Sequence, residues 1–143
     1  MKEYFSFPDI SFLKYVPQRV QHITIKDFVK SLNGKITFYG TELPETLKSQ
    51  LILKNQINKL NIESGIVFFS FYQFTYNNYI NFNLIKKILD NNLEIHFARE
   101  RISITSKEGL QKKSEFLIAV FYSMNNIDKI FLKKLNDFSQ IDD

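Results

Sequence analysis

The run Gly65-Ile66-Val67-Phe68-Phe69-Ser70-Phe71 is apolar at almost every position. A strand with one face in the core and one face in solvent would instead alternate apolar and polar residues. A strand that is apolar on both faces is typical of the middle of a parallel sheet covered by helices on both sides. We therefore predict a buried strand over Ile66–Phe71 and an α/β fold around it.

Strand and helix patterns alternate on both sides of this run. Asn33-Gly34 predicts the end of the first helix, since both residues favour helix stops. A polar and aromatic loop is expected over Gln73–Asn81, after the buried strand. The remaining predicted elements are strands at Lys2–Ser6, Lys35–Tyr39 and Leu93–Ala98, and helices at Val16–Leu32, Leu47–Leu60, Phe82–Leu89, Ser106–Met124 and Ile127–Phe138.

This alternation predicts parallel strands joined by right-handed crossovers. The predicted fold class is α/β: a single doubly wound domain over 1–143, with a mainly parallel four-stranded sheet flanked by helices. The strand order is expected to be flavodoxin-like or serine-recombinase-like, with the first strand central. Residues 127–143 are predicted to form a C-terminal helical extension and tail.

Composition removes several classes of function. The 143 residues contain no cysteine, which excludes disulfides, thiolate metal sites and a cysteine nucleophile. Gly34-Lys35 lacks the upstream glycine of a phosphate-binding loop, and no dinucleotide fingerprint occurs. The net charge of +4 is a mild excess, so nucleic acid is not an expected partner on charge alone. We predict no cofactor, no metal, no membrane span and a cytoplasmic location.

Polar residues follow the predicted strands at their carboxyl ends, where open α/β sheets bind ligands. We expect one concavity built from the strand ends and the start of the first helix. His96 is the candidate general acid or base, because imidazole titrates near neutral pH. Glu42 is its candidate partner or a second base. The candidate substrate-binding residues are Gln18, Arg19, Ser70, Gln73 and Glu100.

Each candidate also has an ordinary structural interpretation. His96 lies between Ile95 and Phe97, as a core histidine would. Arg19 at a helix start adds positive charge to the positive end of the helix dipole, so an anion such as Glu42 or a phosphate should lie nearby.

The sequence resembles the sporadic carbohydrate cluster protein family, small proteins encoded beside surface-polysaccharide genes in bacteria. The matching pieces are Val16-Pro17-Gln18-Arg19-Val20-Gln21, Thr41-Glu42, Gly65–Ser70 with Gln73, and His96-Phe97-Ala98-Arg99-Glu100. That family carries Ser-Arg before its first helix, whereas Ser6 is followed here by Phe7. The resemblance implies a role in lipopolysaccharide or capsule biosynthesis, with a sugar or nucleotide-sugar as ligand.

The order of elements also resembles the catalytic domain of serine recombinases. In those enzymes the loop after the third strand carries Asp-Arg and further arginines that bind the scissile phosphate. The equivalent loop here, Ser70–Tyr76, has no arginine. The long helix shows Met124-Asn125-Asn126-Ile127-Asp128 where that family has Glu-Arg. The resemblance implies a shared fold without DNA strand cleavage.

Three functions remain open at this point. The first is a protein of surface-carbohydrate biosynthesis that acts on or binds a sugar. The second is a non-catalytic adaptor or regulator, and the third is a degenerate recombinase-like nucleic-acid domain. A strand-end pocket lined by His96 and Glu42 would favour the first, and a closed rim the second. A homodimer is expected through the long helix from about Ser106 and the following Ile127–Phe138 segment, whose apolar side exceeds what one small domain needs.

Overall fold

The computed structural model describes residues 1–60, 65–76 and 79–123. Contacts divide the chain into two units, Met1–Leu110 and Gln111–Asp143, and every strand of the described part belongs to the first unit. The strands are β1 Lys2–Phe7, β2 Gly34–Tyr39, β3 Gly65–Phe68, β4 Thr75–Tyr76, β5 Tyr79–Ile80, β6 Glu94–Phe97 and β7 Ile102–Ile104. The helices are α1 Gln18–Ser31, α2 Leu51–Lys59, α3 Phe82–Asp90 and α4 107–123.

Within the described residues the main sheet has five strands in the order β2-β1-β3-β6-β7. The first four are parallel, as predicted, and β7 runs antiparallel to β6. The predicted count of four strands was therefore one too low. Only Ile102-Ser103-Ile104 forms the extra strand, which is too short to show a pattern. It follows a tight turn in which Arg101 takes a left-handed φ of 56°.

The middle position of the sheet belongs to β3. The first strand, β1, is internal with neighbours on both sides, but the prediction that it is central was wrong by one place. The order change occurs between β1 and β3, where the chain leaves the sheet in opposite directions. Ligands of open α/β sheets bind outside the carboxyl ends of strands at such a switch point.

The two faces of the sheet are packed differently. Toward α1, Tyr4 and Val67 pack with Phe28 of the helix in one apolar cluster. The opposite face carries an aromatic cluster in which the Phe68 ring lies 5.8 Å from Phe7 and 4.7 Å from Phe74. The strand β3 is thus buried on both faces, which confirms the prediction from its continuous apolar run.

Helix boundaries follow local backbone rules more than the apolar spacing. Asn33 takes the left-handed conformation that ends α1, with φ 56°, while Gly34 already starts β2. The second helix begins at Leu51 and not at Leu47. Pro44–Thr46 forms a separate 3-10 turn, and the left-handed Gln50 interrupts the chain before the helix.

The predicted loop over Gln73–Asn81 has regular structure. The 3-10 turn Phe71–Phe74 is separated from the end of β3 by two residues, and β4 and β5 pair as a small antiparallel hairpin. Ser70 caps the turn by accepting a hydrogen bond from the Tyr72 N–H. The strand therefore ends at Phe68, short of Phe71. The predicted helix Ile127–Phe138, and with it that part of the expected dimer surface, lies outside the described residues. The rest of that surface is on α4, and the dimer stays a prediction.

Gly65 provides a direct test of the β3–β6 contact. A Cβ at Gly65 would overlap the backbone carbonyl of Glu94 in β6, so neither side can yield without moving a strand. Gly65→Ala should lower the free energy of unfolding by about 1–3 kcal/mol, measured by urea denaturation.

Gly109→Ala is the matched control. Its Cβ would meet only the Ser106 side-chain oxygen, at 3.2 Å, and alanine favours a helix over glycine. It should be neutral or stabilising, and a loss equal to that of Gly65→Ala would contradict the close strand approach.

Candidate functional site

A cavity of about 240 Å³ lies at the switch point, beside the carboxyl end of β1 and the 3-10 turn after β3. Its walls come from the segment after β1, the segment before α2, the turn Phe71–Phe74 and the start of α3. The lining residues are Phe7, Pro8, Asp9, Ile10, Ser11, Glu42, Leu47, Lys48, Gln50, Tyr72, Gln73, Phe74, Thr75, Asn81 and Leu84. The cavity lies at strand ends, but the start of α1, which was expected to contribute to it, does not line it.

Gln73 joins the ends of the two strands at the switch point. Its Oε1 accepts a hydrogen bond from the Phe69 N–H at 2.8 Å, and its Nε2 donates to the Phe7 carbonyl at 3.1 Å. Parallel strands leave backbone groups without partners where they diverge, and buried ones are costly. The Gln73 amide therefore acts as a clasp between β1 and β3.

Glu42 lines the same cavity, but both its oxygens are occupied. Oε1 accepts the Leu53 N–H at 3.0 Å, and Oε2 accepts the Ile52 N–H at 3.1 Å. These amides belong to the first turn of α2, where helix N–H groups lack internal partners and the dipole favours an anion. The Glu42 carboxylate therefore caps the N-terminus of α2. The prediction that it neutralises Arg19 is wrong within the described residues.

Asp9 and Gln21 form a second structural pair that sequence reasoning missed. The Gln21 side chain is fully buried and donates to the Asp9 carbonyl at 2.9 Å while accepting from the Asp9 N–H at 2.7 Å. Asp9 Oδ1 accepts from the Ser11 N–H at 2.9 Å and starts a 3-10 turn. The available signal was Asp9-Ile10-Ser11, a common capping pattern.

Ser70 and Glu100 meet on the far side of the turn after β3. The Ser70 hydroxyl donates to Glu100 Oε1 at 3.0 Å, and the same oxygen accepts the Phe71 N–H. Arg99 Nε lies 4.0 Å from the other oxygen, Oε2. This carboxylate organises the turn and does not line the cavity.

His96 lies in the middle of its strand and away from the cavity. Its Nδ1 is 2.7 Å from Ser103 Oγ and its Nε2 is 3.0 Å from Glu94 Oε1. The ring packs edge-on to Tyr4 at 5.3 Å and against Phe28 of α1. It therefore faces the α1 side of the sheet, so the expectation that His96 and Glu42 share one concavity was wrong.

The first turn of α1 places two further candidates at the surface. Gln18 Nε2 lies 3.5 Å from His22 Nε2, and both Gln18 and Arg19 are exposed. Neither lines the cavity. Of the seven predicted residues, the structure thus brings Glu42 and Gln73 together at the cavity. Gln18, Arg19, Ser70, His96 and Glu100 lie elsewhere.

Burial raises the pKa of three carboxyl groups at the strand ends, namely Asp9, Glu42 and Glu100. Hydrogen bonds from nearby backbone and hydroxyl groups lower each pKa in part, without cancelling the effect of burial. Asp9 Oδ2 is buried and has no hydrogen-bond partner in the described ranges. Of the two acids that line the cavity, Glu42 has both oxygens bonded to backbone N–H groups, whereas Asp9 has only Oδ1 bonded, to Ser11.

Two other kinds of feature are absent from the described residues. They contain no cluster of three histidine, aspartate or glutamate side chains with the spacing of a metal site. Among the helices of the described part, none combines the length and the apolar character needed to cross a bilayer.

The fold is similar to serine recombinase catalytic domains. One is a resolvase family site-specific recombinase from Streptococcus pneumoniae, with 12% identity, a TM-score of 0.58, and coverage of 99% of this chain and 97% of that one. Another is the N-terminal catalytic domain of TP901-1 integrase, with 13% identity, a TM-score of 0.61, and coverage of 91% and 98%. No family model and no curated protein matches the sequence.

At these identities the likeness shows a shared fold. It supports the recombinase-like strand order that the sequence predicted. The comparisons bring no support for the carbohydrate cluster resemblance.

Two amide substitutions should separate the roles of the cavity carboxylates. In Glu42→Gln one of the two acceptor oxygens becomes an NH₂ group that faces a backbone N–H. The expected loss is about 1–3 kcal/mol of unfolding free energy at pH 7. Asp9→Asn keeps the Oδ1 acceptor for Ser11 and removes a buried charge, so it should cost less than Glu42→Gln.

The pH dependence gives the control for Asp9. Because burial raises its folded-state pKa, wild-type Asp9 loses stabilising effect as the pH rises from the unfolded pKa to the folded one. Asp9→Asn should flatten this slope and match wild type more closely at acidic pH. An Asp9→Asn loss as large as that of Glu42→Gln would show that Oδ2 has a partner.

Proposed function

We propose that the chain is a non-catalytic domain that binds a small molecule in the strand-end cavity. The observation that carries this proposal is an open cavity bordered by polar side chains that are bonded to backbone groups. Gln73 and Glu42 bond to backbone, yet the cavity they border stays open between β1 and the turn after β3. In α/β folds, a cavity at this position with a few polar groups is the first candidate for ligand binding.

The positions of the arginines argue against DNA strand cleavage. Phosphoryl transfer relies on several fixed cations around the reacting phosphate. Arg99 lies over the Phe12 ring at 5.3 Å, and Arg101 lies over Phe28 at 5.4 Å. Arg19 is on the surface of α1. Among the described lining residues, Lys48 is the single cation. This arrangement supports a regulatory or adaptor role for a recombinase-like fold.

A sugar or nucleotide-sugar would be the ligand if the carbohydrate cluster resemblance reflects function. Two residues quoted in that resemblance, Glu42 and Gln73, do border the cavity. The aromatic residue Tyr72 borders it as well, and such rings commonly pack on ligands.

Nucleic-acid binding without cleavage is the second candidate. The fold likeness to recombinase catalytic domains favours it. Binding of this kind would depend on phosphate contacts from lysines and would therefore weaken steeply with added salt.

Thermal unfolding with a defined panel distinguishes these functions. The panel contains sugar phosphates, nucleotide-sugars, small carboxylic acids and a DNA duplex. We expect at least one small molecule to raise the Tm in a concentration-dependent way, because a ligand that binds only the folded state stabilises it. The duplex should have no salt-sensitive effect.

Leu47→Trp provides the control for location, because the larger side chain would occupy the cavity that Leu47 lines. It should abolish the Tm increase while leaving a cooperative unfolding transition. An equal Tm increase in this variant would contradict the cavity as the site. Stabilisation by the duplex alone would favour the nucleic-acid candidate.

A further inference from the structure

The acceptor groups around the cavity are largely used by the fold. Gln73 Oε1 and both Glu42 oxygens accept backbone N–H groups, and Asp9 Oδ1 accepts from Ser11. Gln50 Nε2 donates a hydrogen bond to the Leu47 carbonyl, and Gln50 Oε1 remains available as an acceptor. The lining acceptors left for a ligand include Gln50 Oε1 and the buried Asp9 Oδ2, which has no hydrogen-bond partner among the described residues.

The donors at the rim are in a different state. Lys48 is exposed and lines the cavity, and across the described ranges its ammonium group forms no ion pair. Asn81 accepts the Leu84 N–H through Oδ1 at 3.1 Å, which caps α3 and fixes the orientation of the amide. Among the described residues, Asn81 Nδ2 then has no hydrogen-bond partner. Two donors, one of them cationic, therefore remain for a ligand.

The inner wall of the cavity is apolar. It is built by Phe7, Ile10, Leu47, Phe74 and Leu84. The volume of about 240 Å³ is below the roughly 300–1,000 Å³ typical of sites for drug-sized molecules. A compact apolar group fits this wall, with its polar end directed to the rim.

We propose that the cavity binds a small amphipathic anion, with an apolar body against Phe74 and Leu84 and an anionic head at Lys48 and Asn81. This inference rests on the proposed function and narrows it to a ligand class. A carboxylate and a phosphate monoester share this chemistry: each accepts several hydrogen bonds and carries negative charge.

Two carboxyl groups border the same cavity, and their charge would oppose an anion. Glu42 is held at the positive end of the α2 dipole by two backbone N–H groups, which offset its charge locally. Asp9 is buried with a raised pKa, so its neutral form is favoured relative to an exposed aspartate. The opposition is therefore weaker than the count of acids implies.

An NMR titration of the isotope-labelled full chain tests the ligand class. The probes share one ring and differ in the head group: benzoate, phenyl phosphate, neutral benzyl alcohol and cationic benzylamine. Acetate and inorganic phosphate serve as heads without an apolar body. We expect benzoate or phenyl phosphate to shift the methyl signals of Ile10, Leu47 and Leu84 more strongly than the other probes. The tighter of the two identifies the head group.

Three variants locate the head. Lys48→Gln should weaken anion binding roughly tenfold, because a charge-assisted hydrogen bond is lost. Asn81→Asp retains the oxygen that caps α3 but replaces the free donor with a carboxylate, so it should also weaken binding. Lys86→Gln makes the same charge change on the exposed side of α3, outside the lining, and should have no effect.

The outcomes separate the two levels of the proposal. If benzyl alcohol or benzylamine shifts the same methyl signals as strongly as the anions, the anion inference is overturned and the cavity remains a binding site. If no probe shifts these signals at millimolar concentration, the ligand class fails, and the proposed function fails with it when no small molecule of the thermal-unfolding panel raises the Tm either. If Lys86→Gln weakens anion binding as much as Lys48→Gln does, the effect comes from the net charge of the protein, and the inference is also overturned.

Discussion

The parallel pairing of β3 with β1 on one side and β6 on the other is the constraint on which the other features depend. It buries Gly65–Phe68 on both faces and requires a glycine where β3 passes the Glu94 carbonyl. It also brings several strand ends to one edge. Backbone groups that diverge at this edge need partners, because buried unpaired N–H and C=O groups are costly.

Side chains supply those partners, and this accounts for the polar character of the edge. Gln73 joins β1 to β3, Glu42 holds the start of α2, and Glu100 holds the turn after β3. A polar cluster at strand ends is thus explained first by the fold. The donors left for a ligand are at the rim, on Lys48 and Asn81, and the wall between them is apolar.

Much of the fold could be predicted from the sequence because hydrophobic patterning reports burial directly. The continuous apolar run at β3 is one example, and the helix end at Asn33 is another, since asparagine tolerates the left-handed conformation. The strand β7 was missed because three residues carry too little pattern. The hairpin after Phe74 was missed because its strands have two residues each, too few to show a pattern.

The candidate site was less predictable, since a sequence shows which side chains are polar but not which atoms are already bonded. His96 is a residue type common in catalysis. Its partners, however, are Glu94 of its own strand and Ser103 of the unpredicted β7. Glu42 and Gln73 were placed correctly at the strand ends. Lys48 and Asn81 were missed because a sequence does not show which hydrogen-bond donors the fold leaves without partners.

Amide hydrogen exchange is the most direct measurement of whether the strand-end side chains serve the backbone. The relevant amides are those of Phe69, Leu53, Phe71 and Asp9, which donate to Gln73, Glu42, Glu100 and Gln21. They should exchange as slowly as the neighbouring amides of β3 and α2 in the ligand-free protein, because each is held by a buried or half-buried acceptor. Exchange at the rate of an exposed, unbonded amide would contradict the account, because these side chains would then be available to bind a ligand.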